Sequence, residues 1–301
     1  MKTFTKVALI TAGISLSAGI ALSVAGALAN GGKPIRMYYD HGFHVDSEGH
    51  IHEQKKTVVD DFSNILIDVN AADVRFIESD EYAIEYKIEA KDVTAESVND
   101  TLTISSHKHK FEINFSWFNF NDNDCFVYVY YPKGADFKDV MIDTSAGDIN
   151  IEKGFDCDKI SFKSSAGDVT INNVNGALDV DLSAGDFEAT NCKFGYSEFD
   201  LSAGDVDLTN CTIAGGELDM SAGDFDAKAL TLTASFDVDM SAGDCTIEFV
   251  DGQKIGYDID ISAGTARING EKRGDEFTMK DGYAIVLTAD LSAGNVEITN
   301  K

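Results

Sequence analysis

A tetrapeptide, Ser-Ala-Gly-Asp, recurs through the second half of the chain and constrains its fold more than any other feature. Successive copies begin 18 to 21 residues apart, and the last variant begins 30 residues after the one before it. A near-constant period of this length is typical of one supersecondary unit per repeat, stacked on its neighbours. The six identical copies are Ser145–Asp148, Ser165–Asp168, Ser183–Asp186, Ser202–Asp205, Ser221–Asp224 and Ser241–Asp244, and the two variants are Ser262–Thr265 and Ser292–Asn295.

Both flanks of the tetrapeptide alternate apolar and polar residues, as in Leu178–Leu182 before one copy and Phe187–Thr190 after it. A period of two indicates a strand with one buried face. The inward positions also match from repeat to repeat, which favours strands stacked about 4.8 Å apart. The sequence therefore predicts an all-β fold: a single-stranded parallel β-solenoid (β-helix) with antiparallel N-terminal cap strands and one N-terminal hydrophobic helix.

The repeated corners, the Ile268–Gly270 tripeptide and the aromatic segment Phe111–Phe120 resemble a known family. It is the β-solenoid "putative adhesin" family of Gram-positive envelope proteins, and the resemblance covers roughly residues 58–301. The resemblance implies a β-helix, a location in the cell envelope and no known catalytic residues.

The N-terminus carries an export or membrane segment. Residues 7–32 contain no charged side chain and follow Lys2 and Lys6. The length of this apolar run favours an uncleaved single-span anchor in the cell membrane, with the C-terminal domain outside the cell. The alternative is a secretory signal that is cleaved after Ala29, which would release the protein.

The composition shifts along the chain predict four segments. Residues 1–32 form the signal or transmembrane segment, and residues 33–57 form a polar linker. Residues 58–135 form an N-terminal cap with the first coil of the solenoid. Residues 136–301 form the regular repeats, with a hairpin insertion near residues 268–288.

The chain is strongly acidic, with a formal net charge of −28. Such a surface excludes nucleic acid as a partner, because nucleic-acid binding depends on Lys and Arg neutralising phosphates. The acids are ordered in two columns that should face outward from one sheet. Two residues before each corner stand Asp181, Asp200, Asp219, Asp239, Asp260 and Asp290, and four residues before it stand Asp179, Glu198, Glu217, Asp237 and Asp258.

Three interpretations of the acidic columns stay open. They could form a solvated face that resists edge-to-edge aggregation. They could form a weak Ca²⁺ ladder through Asp181, Asp200, Asp219, Asp239 and Asp260. They could recognise a cationic envelope or extracellular ligand by charge complementarity. Ca²⁺ is the one candidate cofactor, and the N-terminal helix is the one predicted contact with a membrane.

No motif indicates an enzyme. The sequence lacks a Gly-x-Ser-x-Gly elbow, a His-Glu-x-x-His zinc motif and a phosphate-binding glycine loop. We therefore expect a non-enzymatic, envelope-tethered surface protein that presents an acidic solenoid for binding, in adhesion, envelope-stress sensing or scaffolding. The alternatives are a Ca²⁺-binding structural spacer and a polysaccharide lyase-like β-helix enzyme, which would need Arg267 or Lys272 beside paired acids.

The chain has five cysteines, and Cys192 and Cys211 occupy equivalent positions in neighbouring repeats. Their column otherwise holds apolar residues, which indicates a buried ladder. Stacked neighbours could in principle form a disulfide, but an odd number of cysteines argues against a disulfide-built fold, so we expect mostly free, buried thiols.

Overall fold

The computed structural model describes residues 36–39, 43–46, 50–106, 112–114 and 125–300. This part of the chain is all-β and divides into two compact units. The smaller unit comprises Met1–Ile51, Glu89–Lys91 and His107–Asn123. Its described strands form an antiparallel sheet with β1 in the middle: β1 (Arg36–Tyr39), β2 (Phe43–Asp46) and β9 (Glu112–Asn114).

The larger unit comprises His52–Ile88, Asp92–Ser106 and Asp124–Lys301, and most of its strands flank the repeated corners. The strands that lead into corners form the pre-corner sheet: β4 (Asn64–Ala71), β11 (Asp136–Ala146), β13 (Asp156–Ser164), β15 (Asn175–Leu182), β17 (Lys193–Leu201), β19 (Thr212–Met220), the second half of β20 (Phe225–Met240), β22 (Ile255–Ile261) and β26 (Ile285–Leu291). The strands that leave corners form the post-corner sheet: β5 (Asp73–Ser79), β12 (Ile149–Ile151), β14 (Val169–Asn172), β16 (Phe187–Thr190), β18 (Val206–Thr209), the first half of β20, β21 (Cys245–Phe249), β23 (Gly264–Ile268) and β27 (Gly294–Thr299).

The remaining strands extend these sheets at their ends. They are β3 (Ile51–Val58), β6 (Ala83–Glu89), β7 (Val93–Val98), β8 (Thr101–Ser106), β10 (Phe126–Pro132), β24 (Glu271–Lys272) and β25 (Glu276–Met279). Four of the pairings that they make are antiparallel: β6 with β10, β7 with β8, β25 with β22 and β24 with β23.

Repeats stack in parallel and in register, so that each inward side chain lies over its counterpart. Leu182 pairs with Leu201 in the pre-corner sheet, and Phe187 pairs with Val206 in the post-corner sheet. The core between the two sheets contains stacked aromatic rings, such as the edge-on contact of Phe187 with Phe199 at 5.6 Å between centroids. Full burial of each such side chain stabilises the fold by roughly 1.5–3 kcal/mol.

The corner tetrapeptide is explained by the close approach of one repeat to the next. Gly204 has a φ of +129°, and a Cβ built there would lie 2.0 Å from the carbonyl oxygen of Gly185. Only glycine fits such a position. The corner Asp has an equally local role, because Oδ1 of Asp186 accepts a hydrogen bond from the backbone N–H of Asp205. The same bond recurs along the stack, with acceptors Asp73, Asp148, Asp168, Asp205, Asp224 and Asp244.

The last repeats do not stack in the order of the chain. β26 pairs in parallel with β20 on one side and with β22 on the other, and β27 lies in the same way between β21 and β23. The final strand pair is therefore inserted between two earlier ones. The strands β24 and β25 fold back antiparallel onto β23 and β22 and cover the edge that the insertion leaves outermost.

The predicted single-stranded parallel solenoid with an N-terminal helix is wrong, although the described chain is all-β. The sheet that holds most of the strands is of mixed orientation, with antiparallel pairs at both ends, and the described residues include no helix. The physical reason is that in-register periodicity specifies how the repeats stack. It does not specify the direction of strands outside the repeats or the position of the last one.

The predicted location in the cell membrane through a single N-terminal span is also wrong for this structure. Among the residues that the structure describes, no helix is long and apolar enough to cross a membrane. The apolar run 7–32, the cleavage position after Ala29 and most of the aromatic segment Phe111–Phe120 lie outside the described residues. The four predicted segment boundaries stay predictions.

Candidate binding face

The two acidic columns lie on the outer surface of the pre-corner sheet. Alternate residues of each strand, such as Val180, Phe199 and Leu218, are buried in the core. The residues between them face outward, as the period of two predicts. We call these two columns the acidic face. In stacking order they are Asp181, Asp200, Asp219, Asp239, Asp290 and Asp260, beside Asp179, Glu198, Glu217, Asp237, Thr288 and Asp258.

The stacking order differs from the order in the sequence at one end of the face. Asp239 pairs with Asp290, and Asp290 in turn pairs with Asp260. From the order of the repeats in the sequence, Asp260 was expected to stack directly on Asp239. The insertion of the last strand pair places Asp290 between them. The same insertion places Thr288 between Asp237 and Asp258 and interrupts the second column.

Lysines neutralise the two ends of the acidic face. Lys159 forms an ion pair with Asp179 at 2.8 Å, and Lys163 forms one with Asp181. At the far end Lys280 pairs with Asp258. No ion pair to a described residue is made by the other acids of the face, which are Glu198, Asp200, Glu217, Asp219, Asp237, Asp239, Asp290 and, beside Asp258, Asp260.

The uncompensated charge perturbs the titration of residues within the face. Burial raises the pKa of the Asp219 carboxyl, and the neighbouring Asp239 and Asp200 raise it further. The carboxylates also act on Tyr196, whose side chain is 55% exposed beside the columns. The charge of Glu217 raises the pKa of the Tyr196 hydroxyl, and Glu198 adds to this effect. An exposed aromatic ring and several carboxylates thus share one surface.

The acidic face is shallow, and it has no preformed metal site. A depression of about 250 Å³ is lined by Asp179, Asp181, Glu198, Asp200, Glu217 and Asp219. Within the described ranges, no three His, Cys, Asp or Glu side chains are grouped so that they could hold a metal ion. The Ca²⁺ ladder through Asp181, Asp200, Asp219, Asp239 and Asp260 stays a prediction.

The residues of the lyase alternative lie on the post-corner sheet. Arg267 pairs with Glu297 on one side and with Lys272 on the other. A depression of about 290 Å³ is lined by Arg267, Glu297, Asp244, Thr246, Thr265 and Asn295. Both the backbone N–H and the Nδ2 of Asn295 donate to Oδ1 of Asp244, so this carboxylate is already engaged. Glu297 is the other carboxylate that lines the depression, whereas the lyase alternative requires two available acids beside Arg267 or Lys272.

The sequence analysis did not identify Tyr196, which lies beside the acidic face. Tyr196, Glu198 and Asp200 alternate along β17, so the period of two was a sufficient signal. The residues before them, Lys193 to Gly195, interrupt the apolar and polar alternation and obscured it.

These features define the class of the protein: a repeat-built, all-β protein with an extended acidic surface. The particular family follows from its sequence. The chain belongs to the Toastrack DUF4097 family, whose sequence profile matches residues 62–299. The family match shows neither a Gram-positive origin for this chain nor that the Ser-Ala-Gly-Asp repeat is characteristic of the family.

Several solved crystal structures are similar to this chain at low identity. A "putative adhesin" from Bacteroides fragilis is 13% identical, with a TM-score of 0.44 over 85% of this chain and 98% of that one. A "putative adhesin" from Parabacteroides distasonis is 16% identical, with a TM-score of 0.44 over 84% of this chain and 98% of that one. A "putative lipid binding protein" from Parabacteroides distasonis is 14% identical, with a TM-score of 0.34 over 85% and 98%. Likenesses of this strength carry no argument about function. No curated protein matches this chain.

Proposed function

We propose that this chain is a non-enzymatic surface protein whose acidic face binds cationic ligands. The observation that carries the proposal is the central stretch of the face, where neighbouring carboxylates stack in register with no ion pair to a described residue. Roles in adhesion, stress sensing or scaffolding would each use such a surface.

The arrangement retains an electrostatic cost in the free protein. Stacked carboxylates about 4.8 Å apart repel by about 1 kcal/mol per pair in bulk water, and salt reduces this value. Lysines relieve the repulsion at the ends of the face, at Asp179, Asp181 and Asp258. A bound cation would relieve it in the centre. Complementary charge of this kind also increases the rate of encounter.

Tyr196 supports an organic cation over a simple ion. A Lys, Arg or quaternary ammonium group over an exposed aromatic ring gains about 0.5–1 kcal/mol from the cation–π interaction. Tyr196 and Glu198 are two residues apart on one side of β17, and Glu198 is in register with Glu217 on the next strand, so one ligand can reach the ring and both carboxylates. We therefore expect a basic peptide or a basic segment of a protein as the ligand.

The test is binding of a fluorescent oligolysine peptide to the full chain at low and moderate ionic strength. The variant Glu198→Gln/Glu217→Gln/Asp237→Asn removes three charges from the acidic face. The matched control, Glu188→Gln/Asp207→Asn/Asp226→Asn, removes three stacked charges from the post-corner sheet. We expect the face variant to bind the peptide about tenfold more weakly than the unaltered chain. The control should bind it less than about threefold more weakly.

Equal losses in the two variants would mean that only net charge matters, and the proposal would fail. Tyr196→Ala should weaken binding further, by about threefold, while Tyr196→Phe should retain it, because the ring alone supplies the cation–π contact. Ca²⁺ titration at matched ionic strength forms a separate arm. A saturable rise in melting temperature that Asp200→Asn/Asp219→Asn abolishes would favour the Ca²⁺ spacer instead, because both residues belong to the predicted Ca²⁺ ladder.

A further inference from the structure

Two cysteines lie in one inward column of the larger unit, at the corners between β16 and β17 and between β18 and β19. The column consists of Val174, Cys192, Cys211 and Leu230, each about 1% exposed or less. The backbone N–H of Thr212 donates to the carbonyl oxygen of Cys192 at 2.9 Å, so the two corners that carry the cysteines are direct hydrogen-bonded neighbours. Both thiols are free in this structure.

The two cysteine side chains are buried neighbours in the core. The Cys211 thiol donates a hydrogen bond to the carbonyl oxygen of Ala189 at 3.4 Å, and Ala189 belongs to the repeat of Cys192. The sulfur of Cys211 therefore lies toward the Cys192 repeat. A hydrogen bond between the Cys192 and Cys211 side chains, together with burial, raises the pKa of the Cys192 thiol.

The backbone geometry suits a covalent link. Neighbouring strands lie about 4.8 Å apart, and the Cα atoms of disulfide-bonded cysteines are usually about 4.4–6.8 Å apart. Cys192 and Cys211 directly precede β17 and β19, which pair in parallel and in register from Lys193 and Thr212 onward, and both cysteine side chains are buried in the core. A link would therefore need only rotation about the side-chain bonds.

We propose that Cys192 and Cys211 are the site of an intrachain disulfide that joins two adjacent repeats. The reaction needs an oxidant, and a small-molecule disulfide such as oxidised glutathione supplies it. One thiolate attacks this disulfide, forms a mixed disulfide and releases one glutathione thiol. The second cysteine then displaces the other glutathione, so that two protons and two electrons leave the protein and reduce the glutathione disulfide to two thiols.

Two of the three other described cysteines, Cys157 and Cys245, are in different surroundings, which favours the link between Cys192 and Cys211. The Cys157 thiol donates to the carbonyl oxygen of Asn175. Cys245 is stacked between Phe225 and Val296, so neither of its neighbours in the column carries a sulfur. We expect no disulfide at either position.

Burial determines when the link forms. Only an accessible thiolate reacts, and both the Cys192 and the Cys211 side chains are about 1% exposed in the native fold, so a soluble disulfide does not reach them there. Oxidation must therefore precede closure of the core or follow local opening. The link should form readily when the chain refolds with oxidant and slowly when oxidant is added to the folded protein.

The experiment maps the disulfide in the full chain after refolding with a glutathione redox pair. Free thiols are alkylated after acid quenching, and trypsin then cleaves after Lys163, Lys193 and Lys228, so the two cysteines fall on separate peptides, 164–193 and 194–228. Mass spectrometry should find these peptides linked. The oxidised chain should melt about 5 °C or more above the reduced chain. Cys192→Ala and Cys211→Ala should abolish that difference, and Cys245→Ala should retain it.

Recovery of native chain with both cysteines alkylated, or linked to different cysteines, would overturn the proposal. The mapping uses the unaltered sequence, so this result does not depend on whether the variants fold. It is also independent of ligand binding to the acidic face.

Discussion

The carboxylate of Asp186 accepts a hydrogen bond from the backbone N–H of Asp205 at 2.9 Å, across two neighbouring repeats. Asp205 does the same for Asp224, and Asp224 for Asp244, so that one bond type links the corners of successive repeats. At the inserted last repeat the acceptor Asp244 receives both the N–H and the side-chain amide of Asn295. The most regular feature of the sequence is therefore a device for stacking repeats, and the binding surface lies elsewhere.

Removal of one corner acceptor should destabilise the fold. Asp186→Ala leaves the N–H of Asp205 without its partner, and we expect a loss of about 1–2 kcal/mol in the free energy of unfolding. Asp186→Asn keeps an acceptor oxygen and should lose less than half as much. Urea unfolding measures both. The control is Asp200→Ala on the acidic face, which removes a charge without a hydrogen bond and should be neutral or stabilising. Equal losses from Asp186→Ala and Asp200→Ala would contradict the assigned role.

Ala229 is strained in the native fold. It has a φ of +52°, in a position that Asn occupies in the preceding repeats, at Asn173, Asn191 and Asn210. A left-handed backbone costs an L-residue roughly 1–2 kcal/mol, and Asn tolerates it better than Ala. Ala229→Asn should therefore stabilise the protein by about 0.5–1 kcal/mol, partly through a side-chain bond like that of Asn210 to Asn191. Ala229→Val at the same position should destabilise it by more than about 1 kcal/mol. Thermal melts of the two variants should move in opposite directions.

Two carboxylates of the pre-corner sheet should affect the pH dependence of stability with opposite signs. Burial, Asp239 and Asp200 raise the pKa of Asp219 above its ordinary value of 3.8. The folded state therefore holds this proton more tightly than the unfolded state, and stability falls as pH rises from 3.8 through the raised pKa. Asp219→Asn should raise the melting temperature at pH 7, with the gain vanishing below about pH 3.8.

Asp258 is the matched opposite case. Hydrogen bonds from Lys280 and Thr278 lower its pKa. Asp258 therefore adds stability above pH 3.8, and this stability is lost as pH falls through the lowered pKa. Asp258→Asn should lower the melting temperature at pH 7. If both variants shift the melting temperature in the same direction at pH 7, the assignment of these charges is incorrect.

Hydrogen exchange can test the inserted strand pair. β26 and β27 are close to the C-terminus in sequence, where fraying would be expected from position alone. In the structure each has a paired strand on both sides, whereas β22 is the one partner of β25 among the described strands. We expect amides in 285–299 to exchange as slowly as those of β19 and at least about tenfold more slowly than those of β25. Comparable rates in β26 and β25 would contradict the strand order.

Much of the candidate site was predictable, because a period of two specifies which side chains share a face. Glu198, Asp200, Glu217 and Asp219 were placed on one outer surface from the sequence, and the structure shows them there. The contact of Asp239 with Asp290 was not predictable, since it depends on where the last strands join the sheet. The ion pairs of Lys159 and Lys163 were missed for a related reason. Each joins residues in different repeats, and only the register places them together.

The sequence by itself determined the all-β class, the corner chemistry, the inward and outward faces and the buried column that holds Cys192 and Cys211. These properties follow from local spacing and from the conformations that Gly and Asp permit. The tertiary structure decided the mixed strand directions, the insertion of β26 and β27, and the extent of the uncompensated acidic stretch. Local patterns recur equally in every repeat, so they cannot rank alternative pairings of the last strands. That choice depends on long-range packing and on which strand edges remain to be covered.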